Sequence, residues 1–218
     1  MRNFDFYEFA CMLGPGAIVL ACFAVLYPGF SEVLLSKNLG AGNLGVFLIL
    51  AYMAGSLVQA GGNLLEWLWW GSWGGMPTDW VRTGRRKPLS EAQIKALEDR
   101  IPSRLTIDGA VTIAELSRAE WYNVTRQIHT EVARQGVGQR LEVLTASYGL
   151  NRGLTSALLI ACAMVSVKYA PLSRWSLLLL LLGLIALYRM HRFGIHYARE
   201  LFLEFLQLPA KEKAEEDR

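Results

Sequence analysis

The residues best suited to a functional role lie along one face of a long apolar stretch, residues 44–70. If this stretch is an α-helix, with about 100° between successive residues, several of its small and polar side chains share one face and form a stripe, with Ala51 and Asn63 at its edges. The stripe consists of Ala51, Gly55, Gln59, Gly62, Asn63 and Glu66. Gln59 and Asn63 could hydrogen-bond to a neighbouring helix that the small residues allow to approach closely. Alternatively, the stripe could line an aqueous path through an oligomer, with Glu66 setting a preference for cations at its mouth.

The rest of the sequence contains no established catalytic motif. A GxGxxG pattern at residues 40–45 lies in a predicted loop without the βαβ setting of a dinucleotide site, so chance explains it better. HExxH, GxSxG and Walker-type patterns are absent, so metalloproteases, serine hydrolases and nucleotide-driven transporters all lack their residues here. Cys11, Cys22 and Cys162 lie in apolar stretches without a CxxC spacing, which indicates packing residues rather than a disulfide or a zinc site. We therefore expect a protein that is not an enzyme and that binds no cofactor or metal.

The apolar residues are clustered in a way that predicts membrane-spanning helices. Hydrophobic residues make up 53% of the 218-residue chain and charged residues 19%, whereas an ordinary soluble domain has about 25% charged residues. Four apolar stretches stand out, at residues 9–27, 44–70, 154–169 and 175–188. The first two contain roughly the 20 residues that a helix needs to cross a bilayer, and the two shorter ones have basic and aromatic flanks typical of an interface. The sequence predicts an all-α integral membrane protein with two transmembrane hairpins, residues 1–70 and 151–189.

The distribution of basic residues predicts how these helices are oriented. Of the 22 Lys and Arg residues, only Lys37, Lys168 and Arg174 lie in the short loops that follow the first and third apolar stretches. Because basic residues are retained on the cytoplasmic side of a membrane, both termini and the central segment, residues 71–150, are expected inside. We predict a location in the bacterial inner membrane.

The central segment carries several signals of helix formation. A capping box at Ser90 and Gln93 should open one helix, which Pro102 should end. A second capping box, at Thr112 and Glu115, should open a longer helix. A run of apolar residues at spacings of three and four then leads into the third apolar stretch, and we expect one continuous helix there.

An apolar face on the longer of these helices predicts a partner. Ile113, Trp121 and Ile128 lie along one side of it, and the segment is too short and too polar to form a large core alone. Its apolar faces must be covered by each other, by the membrane surface or by another chain. Besides lipids, we expect a homo-oligomer or a soluble cytoplasmic protein as the partner. Nucleic acid is not expected, because the basic residues are interleaved with acidic ones.

Residues 190–208 predict an amphipathic helix after the fourth apolar stretch. An apolar stripe runs along it, and Arg192 and Arg199 lie nearby. Such a helix can lie in the membrane interface near anionic lipids, or it can pack on the central segment. The charged tail, residues 210–218, is expected to be disordered.

Three functional hypotheses follow from these features. The first is a protein that self-associates through the second apolar stretch and forms or disturbs a pore under the control of its central segment. Its layout resembles that of the small multi-pass membrane effectors found in bacterial antiviral defence systems. The second hypothesis is a membrane anchor or scaffold that holds a soluble partner at the bilayer. The third, a lipid-modifying enzyme, requires a polar pocket near Glu66, Arg152 and His196.

Overall fold

The computed structural model describes residues 6–30, 41–105, 107, 109, 111–136, 138–171 and 173–209. Every regular element within these residues is a helix, which confirms the all-α prediction. The elements are α1 (Phe6–Leu26), α2 (Ala41–Ser72), α3 (Pro77–Thr83), α4 (Glu91–Leu105), the 3-10 helix η1 (Ile113–Glu115), α5 (Arg118–Arg134), α6 (Gln139–Lys168) and α7 (Arg174–Gln207). The predicted disordered tail lies outside the described residues.

Four of these helices, α1, α2, α6 and α7, are long and apolar enough to cross a membrane, and each corresponds to one of the four predicted apolar stretches. The shortest of them, α1, has 21 residues and rises about 32 Å, which matches a hydrocarbon layer of about 30 Å. The prediction of one continuous helix leading into the third stretch is confirmed by α6, which has 30 residues. In α7 the fourth stretch and the amphipathic stretch likewise form a single helix of 34 residues.

The chain divides into two compact units. Unit 1 comprises Met1–Trp69 and Ala146–His191, and unit 2 comprises Trp70–Thr145 and Arg192–Arg218. Unit 1 therefore holds α1, nearly all of α2 and the most apolar parts of α6 and α7. Unit 2 holds the shorter helices of the central segment together with the remaining ends of α6 and α7.

The helix that contains Pro102 is longer than the sequence predicted. The predicted capping box at its start is confirmed, because the Ser90 N–H donates to Gln93 Oε1 at 2.9 Å and the Gln93 N–H donates to Ser90 Oγ at 3.3 Å. The prediction that Pro102 ends the helix is wrong, since α4 continues to Leu105. Proline lacks an N–H and so removes the bond to the carbonyl four residues earlier, at Glu98. The residues after it keep their own donors, and the helix can continue.

The predicted start of the next long helix is also wrong. Thr112 makes no side-chain cap, and Ile113–Glu115 is a single 3-10 turn, because Leu116 has an extended backbone. The N-cap of α5 is Ser117, whose hydroxyl accepts from the Glu120 N–H at 3.2 Å, while the Glu120 carboxylate accepts from the Ser117 N–H at 2.8 Å. The capping box that forms is the second of two successive candidates in the sequence, at residues 112–115 and 117–120.

Unit 2 is built around large apolar side chains. Trp121 and Phe202 are fully buried, and their rings stack at a centroid distance of 5.6 Å. The indole Nε1 of Trp121 donates to the Thr78 carbonyl at 3.0 Å, so its polar atom is satisfied inside the core. Phe205 and Leu208 are buried in the same core. The C-terminal stretch therefore packs on the central segment, which was one of its two predicted placements.

Unit 1 packs its helices through small residues. A Cβ atom on Gly16 would clash with the backbone of Ala51, and one on Gly55 would clash with the backbone of Met12. Small or polar residues are also buried on α6 and α7, namely Asn151, Thr155, Ser156, Ala157, Ala161, Ser176 and Ala186. This close packing brings the polar side chains of α2 within reach of α1 and α6.

Candidate functional site

An ion pair joins α2 to α6 inside unit 1. Arg152 Nη1 donates to Glu66 Oε2 at 2.5 Å, and the exposed fractions of the two side chains are only 23% for Arg152 and 21% for Glu66. Glu66 is the lone charged residue of the sequence between positions 44 and 70, and Arg152 is the lone one between positions 143 and 167. Each charge therefore finds its counter-ion on a neighbouring apolar helix.

The amide group of Gln59 extends this ion pair to a third helix. Its Oε1 accepts from Arg152 Nη2 at 3.2 Å. Its Nε2 donates to the carbonyl of Cys11 on α1 at 2.9 Å and to the carbonyl of Gly149 on α6 at 3.3 Å. Gln59, Glu66 and Arg152, called the polar network below, thus connect α1, α2 and α6.

Two glycines make room for the polar network. A Cβ atom on Gly62 would lie 3.2 Å from Arg152 Cγ, and one on Gly153 would lie 2.5 Å from Gln59 Nε2. The second distance is shorter than real Cβ contacts, so any side chain at Gly153 would displace the Gln59 amide. Gly62 of the predicted stripe and Gly153 of α6 therefore leave the space that the Arg152 and Gln59 side chains occupy.

The polar network is not fully satisfied. Arg152 Nε and the nearby Ser156 Oγ are buried and have no hydrogen-bond partner among the described residues. Burying a polar atom without a partner lowers stability, so this arrangement of the polar network carries an energetic cost. Across the described part of the chain, no group of three or more His, Cys, Asp or Glu side chains is placed to hold a metal ion. The polar network as it stands consists of one ion pair and the hydrogen bonds of the Gln59 amide.

Five of the six residues in the predicted stripe face the chain's own helices. Ala51, Gly55 and Gly62 are buried and Gln59 and Glu66 are partly buried, as the contacts above require. Asn63 differs, because it is exposed. Two more small or polar residues of α2, Ser56 and Ala60, are exposed as well, and with Asn63 they fall within about 60° on one face of the helix. α2 therefore has an inner polar face and an outer face, the latter formed by Ser56, Ala60 and Asn63.

The residues predicted to contact a partner divide into two groups. Ile113, Trp121 and Ile128 are buried in the core of unit 2, so their assignment to a partner surface is corrected. Other helices of the unit cover them, including the end of α7, which the sequence predicted as an amphipathic helix after the fourth apolar stretch. Arg192 and Arg199 are exposed and remain available to a partner.

Two features of the site were missed by reasoning from the sequence. The pairing of Glu66 with Arg152 had a usable signal, namely a lone charge of opposite sign in each of two apolar stretches. A second contact in unit 1 had none. Trp69 Nε1 donates to His191 Nδ1 at 3.2 Å, and the two rings meet edge to face with centroids 5.8 Å apart. His196, the third residue of the hypothetical enzyme pocket, is exposed and belongs to unit 2.

Comparison of the chain with known proteins finds no matching family model, no similar curated protein and no similar solved structure.

Proposed function

We propose that this chain is a multi-pass integral membrane protein that controls the permeability of its bilayer, with α1, α2, α6 and α7 as its spans. The observation that carries the proposal is the ion pair between Glu66 and Arg152 within apolar helices. Charged residues inside membrane-spanning segments are rare and costly, and they typically mark ion paths, proton relays or gates. A passive anchor has no need of such a pair.

The outer surface of unit 1 supports this placement in lipid. Large apolar side chains are exposed along the long helices, for example Val25 at 76%, Leu57 at 75% and Leu181 at 55%. An exposed apolar surface of this extent is unfavourable in water and favourable in hydrocarbon. With α2 centred in the bilayer, Glu66 would lie about 14 Å from the midplane, close to the edge of the hydrocarbon layer.

The polar network provides a mechanism for control. While Glu66 and Arg152 are paired, their charges neutralise each other and the helices pack closely. If the helices move apart, each side chain becomes an isolated charge that draws water into the space between them. The paired state therefore corresponds to a closed bundle, and separation of the pair corresponds to a permeable one.

The outer face of α2 supports self-association as part of the same proposal. Asn63 is exposed and would lie about 10 Å from the bilayer midplane if α2 is centred. A polar amide in that position is stabilised when it hydrogen-bonds to another helix, and the small residues Ser56 and Ala60 allow such a helix to approach. Measuring the mass of the protein in nanodiscs tests this step: an oligomer that Asn63→Leu weakens is expected, and a monomer contradicts it.

Potassium efflux from proteoliposomes tests the control of permeability. Glu66→Gln leaves Arg152 without its counter-ion, and breaking a buried pair in this way costs about 3–5 kcal/mol. Because about 1.4 kcal/mol changes an equilibrium tenfold, we expect efflux to be at least about ten times faster than from the wild type. Glu142→Gln is the matched control, since it makes the same substitution at an exposed carboxylate of α6.

Exchanging the charges of Glu66 and Arg152 distinguishes a loss of control over permeability from a loss of the helix bundle. The double variant Glu66→Arg with Arg152→Glu restores an opposite pair and should return efflux towards the wild-type rate. Equal efflux from the wild type, Glu66→Gln and Glu142→Gln would contradict the proposed control. Fast efflux that the exchange does not correct would mean that Glu66→Gln merely disrupts the bundle.

A second candidate function is a membrane anchor for a soluble partner, and the exposed basic residues of α7 favour it. Arg192 and Arg199 are both exposed on the part of α7 that belongs to unit 2. Under the anchor hypothesis, replacing Arg192 and Arg199 with alanine releases the partner, whereas Glu66→Gln leaves it bound.

Both candidate functions have the same orientation in the membrane. We place unit 2 and both termini on the cytoplasmic side of a bacterial inner membrane, as the distribution of basic residues favours.

A further inference from the structure

A cleft in unit 2 is lined by three arginines. It has a volume of about 400 Å³ and lies between the last turn of α4 and the C-terminal half of α5. Its polar lining consists of Arg104, Arg126, Gln127, Thr130, Glu131 and Arg134. Arg126, Thr130 and Arg134 follow each other at intervals of four residues, so they share one face of α5.

Arg104 is the buried arginine of this cleft. Its side chain is 4% exposed, and its Nη1 lies 3.5 Å from Glu131 Oε1. Its Nε and Nη2 are buried and have no hydrogen-bond partner among the described residues. Since a guanidinium carries five N–H donors, this side chain keeps donor capacity that the acceptors of the protein do not use. The protein therefore matches the positive charge of Arg104 only in part, through Glu131.

The charges at the cleft do not balance. Glu131 is shared between two arginines, because its Oε2 also lies 3.5 Å from Arg134 Nη1. One carboxylate therefore faces three guanidinium groups, which leaves two positive charges in excess. One turn away on α4, burial lowers the pKa of Arg100, and the charge of Arg104 lowers it further.

We propose that this cleft binds a phosphate-bearing anion. An excess of two positive charges matches a phosphate dianion better than a single carboxylate, and the planar guanidinium fork donates paired hydrogen bonds to phosphate oxygens. Thr130 and Gln127 add neutral polar groups at the same wall. The cleft is much larger than the roughly 30 Å³ share of one water molecule, so it has room for a group such as a diphosphate. A soluble phosphorylated molecule and a phospholipid headgroup carry this same chemistry.

Calorimetric titration with inorganic pyrophosphate tests the site on the full-length protein in phosphatidylcholine nanodiscs. We expect saturable binding that Arg126→Gln and Arg134→Gln each weaken by about tenfold or more, because each removes a charge-assisted hydrogen bond. Both residues are exposed, so their replacement should leave the core of unit 2 intact. Arg118→Gln is the matched control, since Arg118 is an exposed arginine of the same helix that does not line the cleft.

A second set of nanodiscs distinguishes the two sources of phosphate. One preparation contains phosphatidic acid, and the other has the same negative charge from oleate. Weaker pyrophosphate binding in the phosphatidic acid discs alone would show that a lipid headgroup occupies the cleft. Equal binding in both would assign the site to a soluble ligand. The proposal is overturned if pyrophosphate does not bind in a saturable way. It is also overturned if Arg126→Gln and Arg134→Gln bind pyrophosphate as well as the control Arg118→Gln does.

Discussion

The two units of the molecule differ in the size of the side chains that they bury. Unit 2 encloses large apolar ones such as Trp121 and Phe202, as water-soluble proteins do. Unit 1 encloses small ones such as Ala51 and Ala157 and leaves leucines such as Leu57 exposed. In lipid, burying a large apolar side chain yields no hydrophobic free energy, because the lipid tails are as apolar as the side chain. Small side chains instead let helices approach closely. The difference favours lipid around unit 1 and water around unit 2.

The two units also differ in how completely their least exposed described arginine is paired. In unit 1, Arg152 has Glu66 at 2.5 Å and the Gln59 amide at 3.2 Å. In unit 2, Arg104 shares Glu131 with Arg134, and both distances are 3.5 Å. The first arrangement is nearly complete within the chain and suits a closed state. The second leaves positive charge unmatched and suits the recognition of an anion.

The largest effect should come from the core of unit 2. Replacing Trp121 with alanine removes a fully buried ring that stacks on Phe202, and such truncations cost about 3–5 kcal/mol of unfolding free energy. Leu57→Ala, at a side chain that is 75% exposed, should cost less than about 0.5 kcal/mol. Denaturant unfolding of the detergent-solubilised protein, followed by circular dichroism, measures both. A comparable cost at Leu57 would mean that unit 1 depends on large side chains too.

An intermediate effect should come from the glycines of α2. Gly55→Ala places a Cβ against the backbone of Met12, and Gly61→Ala places one in open space. Overpacking of this kind typically costs about 1–3 kcal/mol, so Gly55→Ala should lower the melting temperature in detergent. Gly61→Ala should leave it unchanged or raise it slightly, because alanine favours a helix over glycine. Equal melting temperatures would refute the close approach of α1 and α2.

The smallest effect should come from the N-cap of α5. The Ser117 hydroxyl accepts from the backbone N–H three residues on, and replacing such a cap with alanine costs about 1 kcal/mol. Ser117→Ala should therefore destabilise unit 2 modestly in denaturant titrations. Ser103→Ala is the control, because it removes an exposed serine of α4 whose hydroxyl donates to the Arg100 carbonyl and caps no helix start.

The same variant should also alter the pH dependence of stability. Hydrogen bonds from the Ser117 hydroxyl and N–H lower the pKa of Glu120 in the folded protein. Because the folded pKa is lower than the unfolded one, the resulting stabilisation is present above the unfolded pKa and is lost as the pH falls through the folded pKa. Ser117→Ala should flatten this acid dependence of the unfolding free energy. An unchanged slope would mean that other groups dominate it.

The spacing of apolar residues predicted most of the helices. Capping and proline signals gave a wrong end for α4 and a wrong start for α5. The first two long apolar helices were predicted because a run of about twenty apolar residues is typical of a membrane span, and the other two were predicted from shorter runs with basic and aromatic flanks. The local sequence could not decide whether Thr112 or Ser117 is the N-cap, because each is followed by a glutamate three residues later. It depends on the extended backbone at Leu116, which ends the 3-10 turn before Ser117.

The sequence predicted the α2 residues of the candidate site but not the residues of α1 and α6 that contact them. Helical spacing placed Gln59 and Glu66 on one face of α2, but the contacts of that face depend on the packing of α1 and α6. Gln59 Nε2 binds two backbone carbonyls, and backbone carbonyls leave no trace in a sequence. The reverse error concerned Ile113, Trp121 and Ile128, whose apolar side was read as a surface because the end of α7 was not known to cover it.

The core of unit 2 draws on distant parts of the chain, and this imposes an order on biosynthesis. Trp121 and Ile128 are translated before the apolar parts of α6 and α7, whereas Phe202 and Phe205 follow them near the C-terminus. The core cannot close until the last helix has left the ribosome. A chain that is truncated before Phe202 would keep a tryptophan without its stacking partner and an uncovered apolar face. Chaperones and proteases act on such surfaces, so incomplete copies should be degraded rather than accumulate.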